Sequence, residues 1–442
     1  MTQDEGPEKR GAAGEPVEPH DGERRADRDP ADPENLQSRD DDQPAPALTT
    51  SSRMQDALRS MMSSSVLITV GAVVLALAVG SVLILAGDTD VQATLGYFFQ
   101  RPGDFFGEAW RAISESYIAL FQGAIYDSEA TTPERRIRPL TETLTIAAPL
   151  IFAGLGIGLT FRVGLFNIGG QSQLVLGAVL GAWVGFALNL PPFVHVALVV
   201  LAAALGGAIA GAIPGVLKAR FGAHEVISTI MLNNTSRYFL LWLLGTGAFI
   251  SATPQVSPGL AETARLPLLL GGSFRLHLGF VLALLTAVAL WWLVERSVLG
   301  FQMRAVGANP EAAGTAGMSV RKILVVSMAL SGALCGLAGA MQVAGTEGKL
   351  TSSVYGTIGF DAITVALLGR SRPFGTVLAG ILFGALAAGG RIMASRAGTE
   401  AELVTVLQAV IVLLIAAPPL VRSVFRLPEP GTSRRRVKEA TA

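Results

Sequence analysis

The sequence predicts an all-α, polytopic membrane protein with about ten transmembrane helices. Half of its 442 residues are hydrophobic and only 15% are charged, whereas soluble proteins carry about 25% charged residues. Apolar runs recur along the chain, and roughly 20 mostly apolar residues are enough for a helix to cross a bilayer. These observations argue against a multidomain soluble enzyme.

The formal net charge of zero is the sum of two unlike parts. Residues 1–46 carry 14 acidic and 6 basic side chains, which leaves 20 acidic and 28 basic side chains for the rest. This segment has too few large aliphatic residues to offset the entropy of folding. We therefore expect a disordered acidic cytosolic tail over 1–47 and a basic juxtamembrane segment over 48–65. A transmembrane domain over 66–421 and a basic cytosolic tail over 422–442 follow.

Ten apolar runs are the candidate spans, and the first of them contains no charged residue. They are 66–86, 142–161, 165–188, 193–217, 226–245, 276–294, 323–345, 357–369, 374–389 and 403–420. The eighth and ninth are short for a helix that crosses a bilayer.

The distribution of Lys and Arg predicts the orientation, because short cytosolic loops are enriched in both. With the N-terminus in the cytosol, seventeen of them fall inside and ten outside. Five of the outer ten lie in the long loop after the first span, where the rule carries little weight. We expect a multi-pass protein of the plasma (inner) membrane with both termini in the cytosol.

The sequence lacks the patterns of several kinds of catalytic site. A single cysteine, Cys335, lies in an apolar run, and the four histidines are scattered, so we expect no disulfide framework and no metal site. There is no HExxH pattern, no GxxxxGK[ST] phosphate loop and no GxSxG elbow. We expect no catalytic residue and no ATP hydrolysis by this chain.

Glycines recur at a spacing of four residues in three spans. They are Gly207, Gly211 and Gly215, then Gly332 and Gly336, then Gly380 and Gly384. Small residues at this spacing lie on one helix face and allow backbones to approach closely in lipid. We expect helix packing at these positions.

Polar side chains stand near the start of several spans. They are Asn167, Gln171, Gln173, Glu225, Thr229, Asn233 and Asp361. Glu225, Thr229 and Asn233 recur every four residues, which puts them on one helical face. Polar groups in a membrane either bond to a neighbouring helix or line a watery cavity, and both interpretations remain open. Arg237, in the middle of the fifth span, is either a functional residue or one that reaches the interface.

The cytosolic loop 295–322 predicts a short surface helix of about two turns. Asn309 is a good N-cap, and Pro310 suits the first helical position. Glu311 complements the positive end of the helix dipole, and Gly317 can end the helix. Taken alone, this helix could be a docking element or a mere connector.

Four stretches together carry a family resemblance. They read GLFNIGGQSQLVLGA (164–178), HEVISTIMLNN (224–234), GFQMRAVGANPEAAGTAGM (300–318) and GFDAITVALLGRSRPFGTVLAGILFGAL (359–386). The chain resembles the membrane permease subunits of ABC importers in the ribose and branched-chain amino-acid class. It is most similar to nucleoside and simple-sugar permeases that pair with Bmp-type binding lipoproteins. Ser172 stands where such permeases commonly carry a carboxylate, and Arg237 stands where they carry an apolar residue.

The resemblance implies an ABC importer permease fold, in which the short cytosolic helix couples to a separate ATPase subunit. The implied coupling residues are Arg304, Gly307, Asn309, Pro310, Glu311, Ala312 and Ala313. The polar residues at the heads of the spans become candidates for the substrate path. The implied partners are the ATPase, a second related permease, an extracytosolic substrate-binding lipoprotein and the lipid bilayer, without nucleic acid. This chain binds no cofactor itself, and ATP and Mg²⁺ belong to the ATPase.

The expected function is therefore that of a permease subunit that forms a path for nucleosides. Ribose hydroxyls and base edges offer hydrogen-bond donors and acceptors without needing a countercharge. A simple-sugar (ribose-like) ABC permease is the nearest alternative. An ion-coupled secondary transporter is a weaker one, because it would leave the capped surface helix without a role. A membrane-embedded hydrolase is weaker still, since neither a metal-ligand spacing nor a nucleophile–base pair is present.

Overall fold

The structure is a computed structural model that describes residues 65–251, 253–398, 401–416, 420 and 423–424. The predicted segment 1–47 lies outside the described residues. So do 48–65 apart from residue 65, and 422–442 apart from residues 423 and 424. The predictions made for these segments stay predictions.

The described residues form fourteen α-helices and no β-strand apart from two isolated bridges. The helices are α1 (Ser65–Gly87), α2 (Thr89–Leu95), α3 (Pro102–Ala124), α4 (Pro133–Arg162), α5 (Gly170–Ala187), α6 (Pro192–Phe221), α7 (Glu225–Leu244), α8 (Gly279–Arg296), α9 (Val298–Ala308), α10 (Pro310–Thr315), α11 (Val320–Ala340), α12 (Ile358–Leu368), α13 (Pro373–Arg396) and α14 (Ala401–Ala416). A π-helical turn, Met341–Glu347, continues α11.

Each of the ten predicted spans coincides with one of these helices. Six helices are long and apolar enough to cross a bilayer, namely α4, α5, α6, α8, α11 with its π-helical turn, and α13. A seventh span results if α1 and α2, which meet at a bend of 74°, count as one. Helices α12 and α14 have only 11 and 16 described residues. The all-α polytopic class is confirmed, whereas the number of ten spans is not.

Helix α3 corrects the expectation of one long outer loop after the first span. The charged residues Asp104, Glu108 and Arg111 interrupt the apolar run there, which hides the helix from a search for spans. Most of its buried positions are small, and five of them follow a helical period: Ala109, Ala112, Ser116, Ala119 and Gly123. This stripe packs against α13 and α1. The small-residue period is the signal that could have revealed α3.

Helices α6 and α11 pack with their backbones in direct contact. A Cβ atom at Gly207 would collide with the Gly332 carbonyl, and one at Gly336 would collide with the Ala203 carbonyl. The opposite side of α6 exposes large aliphatic residues at the same spacing, including Leu201. Small residues inside and large ones towards lipid are typical of membrane helices. The predicted role of the glycines in helix packing is confirmed.

Helix α4 is the central element of the fold. It contacts α11, α12 and α13, and every residue from Ala147 to Thr160 is buried. Gly384 of α13 lies against the Thr143 carbonyl, so the second pair of predicted glycines also serves packing. With 30 residues, α4 is about 45 Å long, which exceeds the roughly 30 Å hydrocarbon core of a bilayer. Its polar first turns therefore extend beyond the apolar zone.

We expect Gly207→Ala to lower the stability of the protein by roughly 1–3 kcal/mol, the usual cost of overpacking. Gly107→Ala in α3 is the matched control, since nothing lies within 4 Å of the added Cβ. Alanine favours a helix over glycine by about 0.5–1 kcal/mol, so the control should be neutral or stabilising. Thermal unfolding in detergent measures the stability of both variants. Equal unfolding midpoints for the two would contradict the packing described.

Candidate functional site

Helix α10 is the short surface helix that the loop sequence predicts. The side-chain Oδ1 of Asn309 accepts hydrogen bonds from the N–H groups of Glu311 and Ala312, both at 3.0 Å. Pro310 occupies the first helical position, where no N–H donor is needed. Gly317 follows the helix with a φ of +82°, a conformation that glycine adopts without strain. The predicted start and end of this helix are confirmed.

Helix α9, which leads into α10, is anchored to the C-terminal end of α4. Gly307 lies directly against the Arg162 carbonyl, so any side chain at this position would collide with it. Arg162 bonds to Glu295 at 2.7 Å and to the Ser371 carbonyl at 2.7 Å. Arg304 lies 3.7 Å from the second oxygen of Glu295. The segment is therefore fixed to the ends of α4 and α8.

The residues predicted to couple to an ATPase fall into two groups, one in this anchor and one on an exposed surface. Arg304 and Gly307 of α9 belong to the anchor. Ala313 is buried as well, with only 4% of its surface exposed. Pro310, Glu311 and Ala312 are exposed. A rigidly mounted, exposed first turn is what a partner protein could bind.

A buried network of amide side chains surrounds the start of α5. Asn167 and Gln173 are fully buried and bond to each other in both directions, at 3.1 and 3.2 Å. Asn167 also donates to the Ser331 hydroxyl of α11 at 3.0 Å. Its Oδ1 accepts from the Gly169 N–H at 2.9 Å. The amide groups of this pair are committed to bonds within the protein.

Two more amides tie α5 to α12 and α7. Gln171 accepts from the Gly359 N–H at 2.9 Å. Asn233 accepts from the Ser172 N–H at 3.0 Å and donates to the Ile168 carbonyl at 3.0 Å. The first N–H groups of a helix have no partner within that helix. The two side chains therefore supply acceptors that the first turns of α12 and α5 need.

The other members of the α7 stripe also point inward. Thr229 is fully buried, and its hydroxyl donates to the Glu225 carbonyl at 2.8 Å. The Glu225 carboxylate pairs with Lys218 of α6 at 2.6 Å. Hydrogen bonding within and between helices thus describes the cluster at the heads of α5 and α7. The role of its members in a substrate path stays a prediction.

Arg237 lies on the exposed side of α7. Its guanidinium is 5.7 Å from the centre of the Tyr355 ring, within the range of a cation–π contact. The ring follows the short turn Ser352–Val354, which contacts α7. Within the described part of the chain, Arg237 forms no ion pair, so the ring is its principal neighbour.

A large charged cavity, the outer vestibule, lies at the end of α4 opposite the α9 anchor. Its volume is about 690 Å³. The charged lining residues are Asp127, Glu129, Arg135, Arg138, Glu142, Arg275, Arg391 and Arg396. Arg396 donates to Asp127 at 2.6 Å, and this bond holds the pKa of the Asp127 carboxyl below its usual value. Arginines outnumber carboxylates here, so the vestibule is basic.

A smaller cavity of about 400 Å³, the inner chamber, adjoins the vestibule and shares Glu142, Arg275 and Arg391 with it. Glu142 accepts from Arg275 at 3.4 Å, but its Oε1 is buried without a hydrogen-bond partner. Asp361 accepts from the Thr357 hydroxyl at 2.8 Å. The remaining polar lining comprises Thr145, Gln342, Thr346, Glu347 and Gln408. Of the seven predicted path residues, only Asp361 lines either cavity.

The family described as branched-chain amino acid transport system / permease component matches residues 140–416. The chain belongs to this permease family. The match begins in α4 and ends at the last residue of α14. It includes the whole lining of the smaller cavity, the amide network and α10, whereas the vestibule residues from Gly123 to Pro139 precede it. No solved structure matches the chain.

Several curated permeases are similar to this chain. The guanosine ABC transporter permease protein NupP of Bacillus subtilis is 36% identical over 324 residues, which cover 71% of this chain and 88% of that protein. The nucleoside ABC transporter permease protein NupB of Lactococcus lactis is 32% identical, covering 69% and 85%. The glucose ABC transporter permease protein TsgB13 of Haloferax volcanii is 36% identical, covering 62% and 75%.

Most of the cavity-lining residues are not among those that the sequence predicted. Glu142 heads the second apolar run, Gln342 lies near the end of the seventh, and Arg391 follows the ninth. Each is a polar residue at the edge of an apolar run, which was the available signal. Arg275, in a loop, carried no comparable signal. Only the packing of distant helices brings these residues together.

We expect Asn233→Ala to destabilise the protein by roughly 1–3 kcal/mol, because the buried Ser172 N–H loses its acceptor. Asn234→Ala is the matched control, since this adjacent side chain is exposed and makes no hydrogen bond in the described structure. In thermal unfolding, the Asn233 variant should have a lower midpoint than the Asn234 variant. The KM for transport should be the same in both. A raised KM at unchanged stability would instead assign Asn233 to the substrate path.

Proposed function

We propose that this chain is the membrane-spanning permease subunit of an ABC importer and forms the translocation path for nucleosides. The observation that carries the proposal is the exposed, capped helix α10, mounted on α4 at the end opposite the two cavities. Family membership supports the permease role. The nucleoside class is supported by NupP and NupB, two relatives named for guanosine and nucleosides that cover more than two thirds of this chain.

The proposed topology has ten spans in the plasma (inner) membrane. Both termini lie in the cytosol. This topology adds α7, α12 and α14 to the six long apolar helices and counts α1 with α2 as one span. The anchor residues Arg162, Arg304 and Ser371 meet at one end of the bundle, where the cytosolic loops are expected. Under this topology α10 faces the cytosol and the vestibule opens on the other side.

The proposed partners are those of an importer whose parts are separate chains. An ABC ATPase would bind the exposed first turn of α10 and hydrolyse ATP with Mg²⁺, while this chain holds no cofactor. A second, related permease subunit would complete the membrane unit. An extracytosolic substrate-binding lipoprotein would deliver the ligand to the basic vestibule.

A simple-sugar permease is the second candidate, favoured by the resemblance to the glucose permease TsgB13. A ribose-like sugar and a nucleoside share the hydroxyl groups that a polar path recognises. An ion-coupled transporter fits less well, because it gives the anchored α10 no partner.

Uptake of labelled nucleosides tests the proposal directly. Cells that carry the complete importer should accumulate guanosine, adenosine, cytidine or uridine, and deletion of this chain should abolish that uptake. Depletion of ATP with the ion gradient maintained should also stop it. Uptake that persists without ATP would indicate an ion-coupled transporter, and uptake of ribose or glucose alone would indicate the sugar alternative.

We expect Glu311→Lys to reduce ATP-dependent uptake by about tenfold or more, as loss of about 1.4 kcal/mol at an interface would. Glu402→Lys at the first turn of α14 is the control, because it removes the same helix-dipole contribution from an exposed position. Both variants should insert normally into the membrane, as measured by their abundance there. Normal uptake by the Glu311 variant would remove α10 as the coupling element.

A further inference from the structure

We propose that the inner chamber binds the nucleoside during transport, with Asp361 and Glu142 accepting hydrogen bonds from the ribose hydroxyls. The inference rests on the nucleoside class proposed above and adds the residues that contact the ligand. It moves the binding site away from the amide network at the heads of α5 and α7.

The chamber has the size and the walls of a small-molecule site. Its volume of about 400 Å³ lies within the roughly 300–1,000 Å³ that ligand sites occupy. Ile146, Pro149 and Phe383 supply apolar wall. Polar side chains from α4, the π-helical turn after α11, α12, α13 and α14, together with Arg275, supply the polar wall. A nucleoside presents the same two surfaces, namely a flat base and a hydroxylated sugar.

Two carboxylates in the chamber have accepting capacity to spare. The Oε1 atom of Glu142 is buried without a partner, and Asp361 receives one bond, from the Thr357 hydroxyl. An ionised carboxylate only accepts hydrogen bonds, whereas a hydroxyl donates one. A buried acceptor without a partner costs free energy. The vicinal hydroxyls of ribose supply the donors that these carboxylates lack.

Gln342 and Arg391 complete the hydrogen-bonding set of the chamber. The amide of Gln342 can both donate and accept, and its side chain forms no hydrogen bond within the described part of the protein. Arg391 makes one bond, a long one of 3.4 Å to the Ala387 carbonyl. Base edges carry acceptors as well as donors, which matches an amide and a guanidinium.

The amide network, by contrast, has little left to offer a ligand. Asn167 and Gln173 are paired with each other, and Asn233 uses both its oxygen and its nitrogen. Opening this network to a substrate would break bonds that fix the starts of α5 and α12. A ligand gains more from unpaired groups than from groups that must first be released.

The chamber is connected to the vestibule, and part of its wall is a π-helical turn. The ion pair of Glu142 and Arg275 lines both cavities, so a ligand that leaves the vestibule passes it. Gln342 and Thr346 lie in the π-helical turn Met341–Glu347. Such turns are frequent at functional sites, because they interrupt the regular helix ladder.

Cysteine labelling in the complete importer tests the proposal. The native Cys335 is fully buried, so the unaltered chain should give little background. Thr346→Cys introduces a thiol into the chamber, and Thr160→Cys is the matched control. Both threonines are helical and donate to a carbonyl of their own helix, but Thr160 is fully buried and lines neither cavity.

We expect a membrane-impermeant thiol reagent, added outside intact cells, to label the Thr346 variant and not the control. A mixture of guanosine, adenosine, cytidine and uridine at about ten times its Kd should slow labelling about tenfold, because occupied chambers are protected. Labelling that is absent or unaffected by nucleosides, in an importer that still transports them, overturns the chamber assignment alone. An importer that transports no nucleoside overturns the proposed function and the chamber assignment with it.

Asp361→Asn supplies a second readout in the same importer. The new amide oxygen can still accept from Thr357, so the local structure is kept, but one ligand acceptor becomes a donor. The KM for nucleoside uptake should rise about tenfold or more, with little change in maximal rate, as loss of a hydrogen bond to a charged group predicts. Glu402→Gln, outside both cavities, should leave KM unchanged. An unchanged KM in the Asp361 variant overturns its role as a ligand acceptor.

Discussion

The pairing of polar groups away from water is the constraint on which this fold depends. Within a bilayer an unpaired N–H group has no water to bond to, so a helix that begins inside the protein needs acceptors from its neighbours. At the head of α5, Asn233 reaches in from α7, and Gln171 bonds to the start of α12. Asn167 joins the same point to Ser331 of α11. Four helices are thereby held in one arrangement.

On the proposed function, this commitment of the amides favours a ligand site elsewhere in the protein. Side chains that hold helices together have few groups left for a ligand, whereas the carboxylates of the inner chamber retain unused acceptors. The polar residues of this permease thus divide into hydrogen-bonded groups at the heads of α5 and α7 and groups with unused acceptors that line the cavities beside α4. Asp361 belongs to the second set, because it sits at the first turn of a short helix that faces a cavity.

The sequence predicted those features that depend on local patterns. Each apolar run that the sequence predicted coincides with a helix, although ten membrane spans are not confirmed. The four-residue glycine spacing identified packing faces, and Asn309 with Gly317 delimited α10. Features that depend on the meeting of distant segments were not predictable in this way. Glu142 and Arg275 are 133 residues apart, and nothing local to either indicates the other. The polar stripe of α7, with its spacing of four residues, was identified correctly. The spacing alone could not tell a face that bonds to neighbouring helices from a face that lines a substrate path.

Helix α4 connects the two ends of the molecule that the proposed mechanism must link. Its C-terminal residue Arg162 contacts Gly307 and Glu295 near α10, while Glu142 lines both cavities. Twenty residues separate these positions, which corresponds to about 30 Å of helix. Between them every residue of α4 from Ala147 to Thr160 is buried, and the helix packs against α11 and α13. Close-packed interiors deform little. On the proposed mechanism, a displacement of α10 would reach α4 through the Gly307 contact and the Glu295 ion pairs. Because Glu142 belongs to the same helix, that displacement would also move the Glu142 side of its ion pair with Arg275, at the boundary between vestibule and chamber.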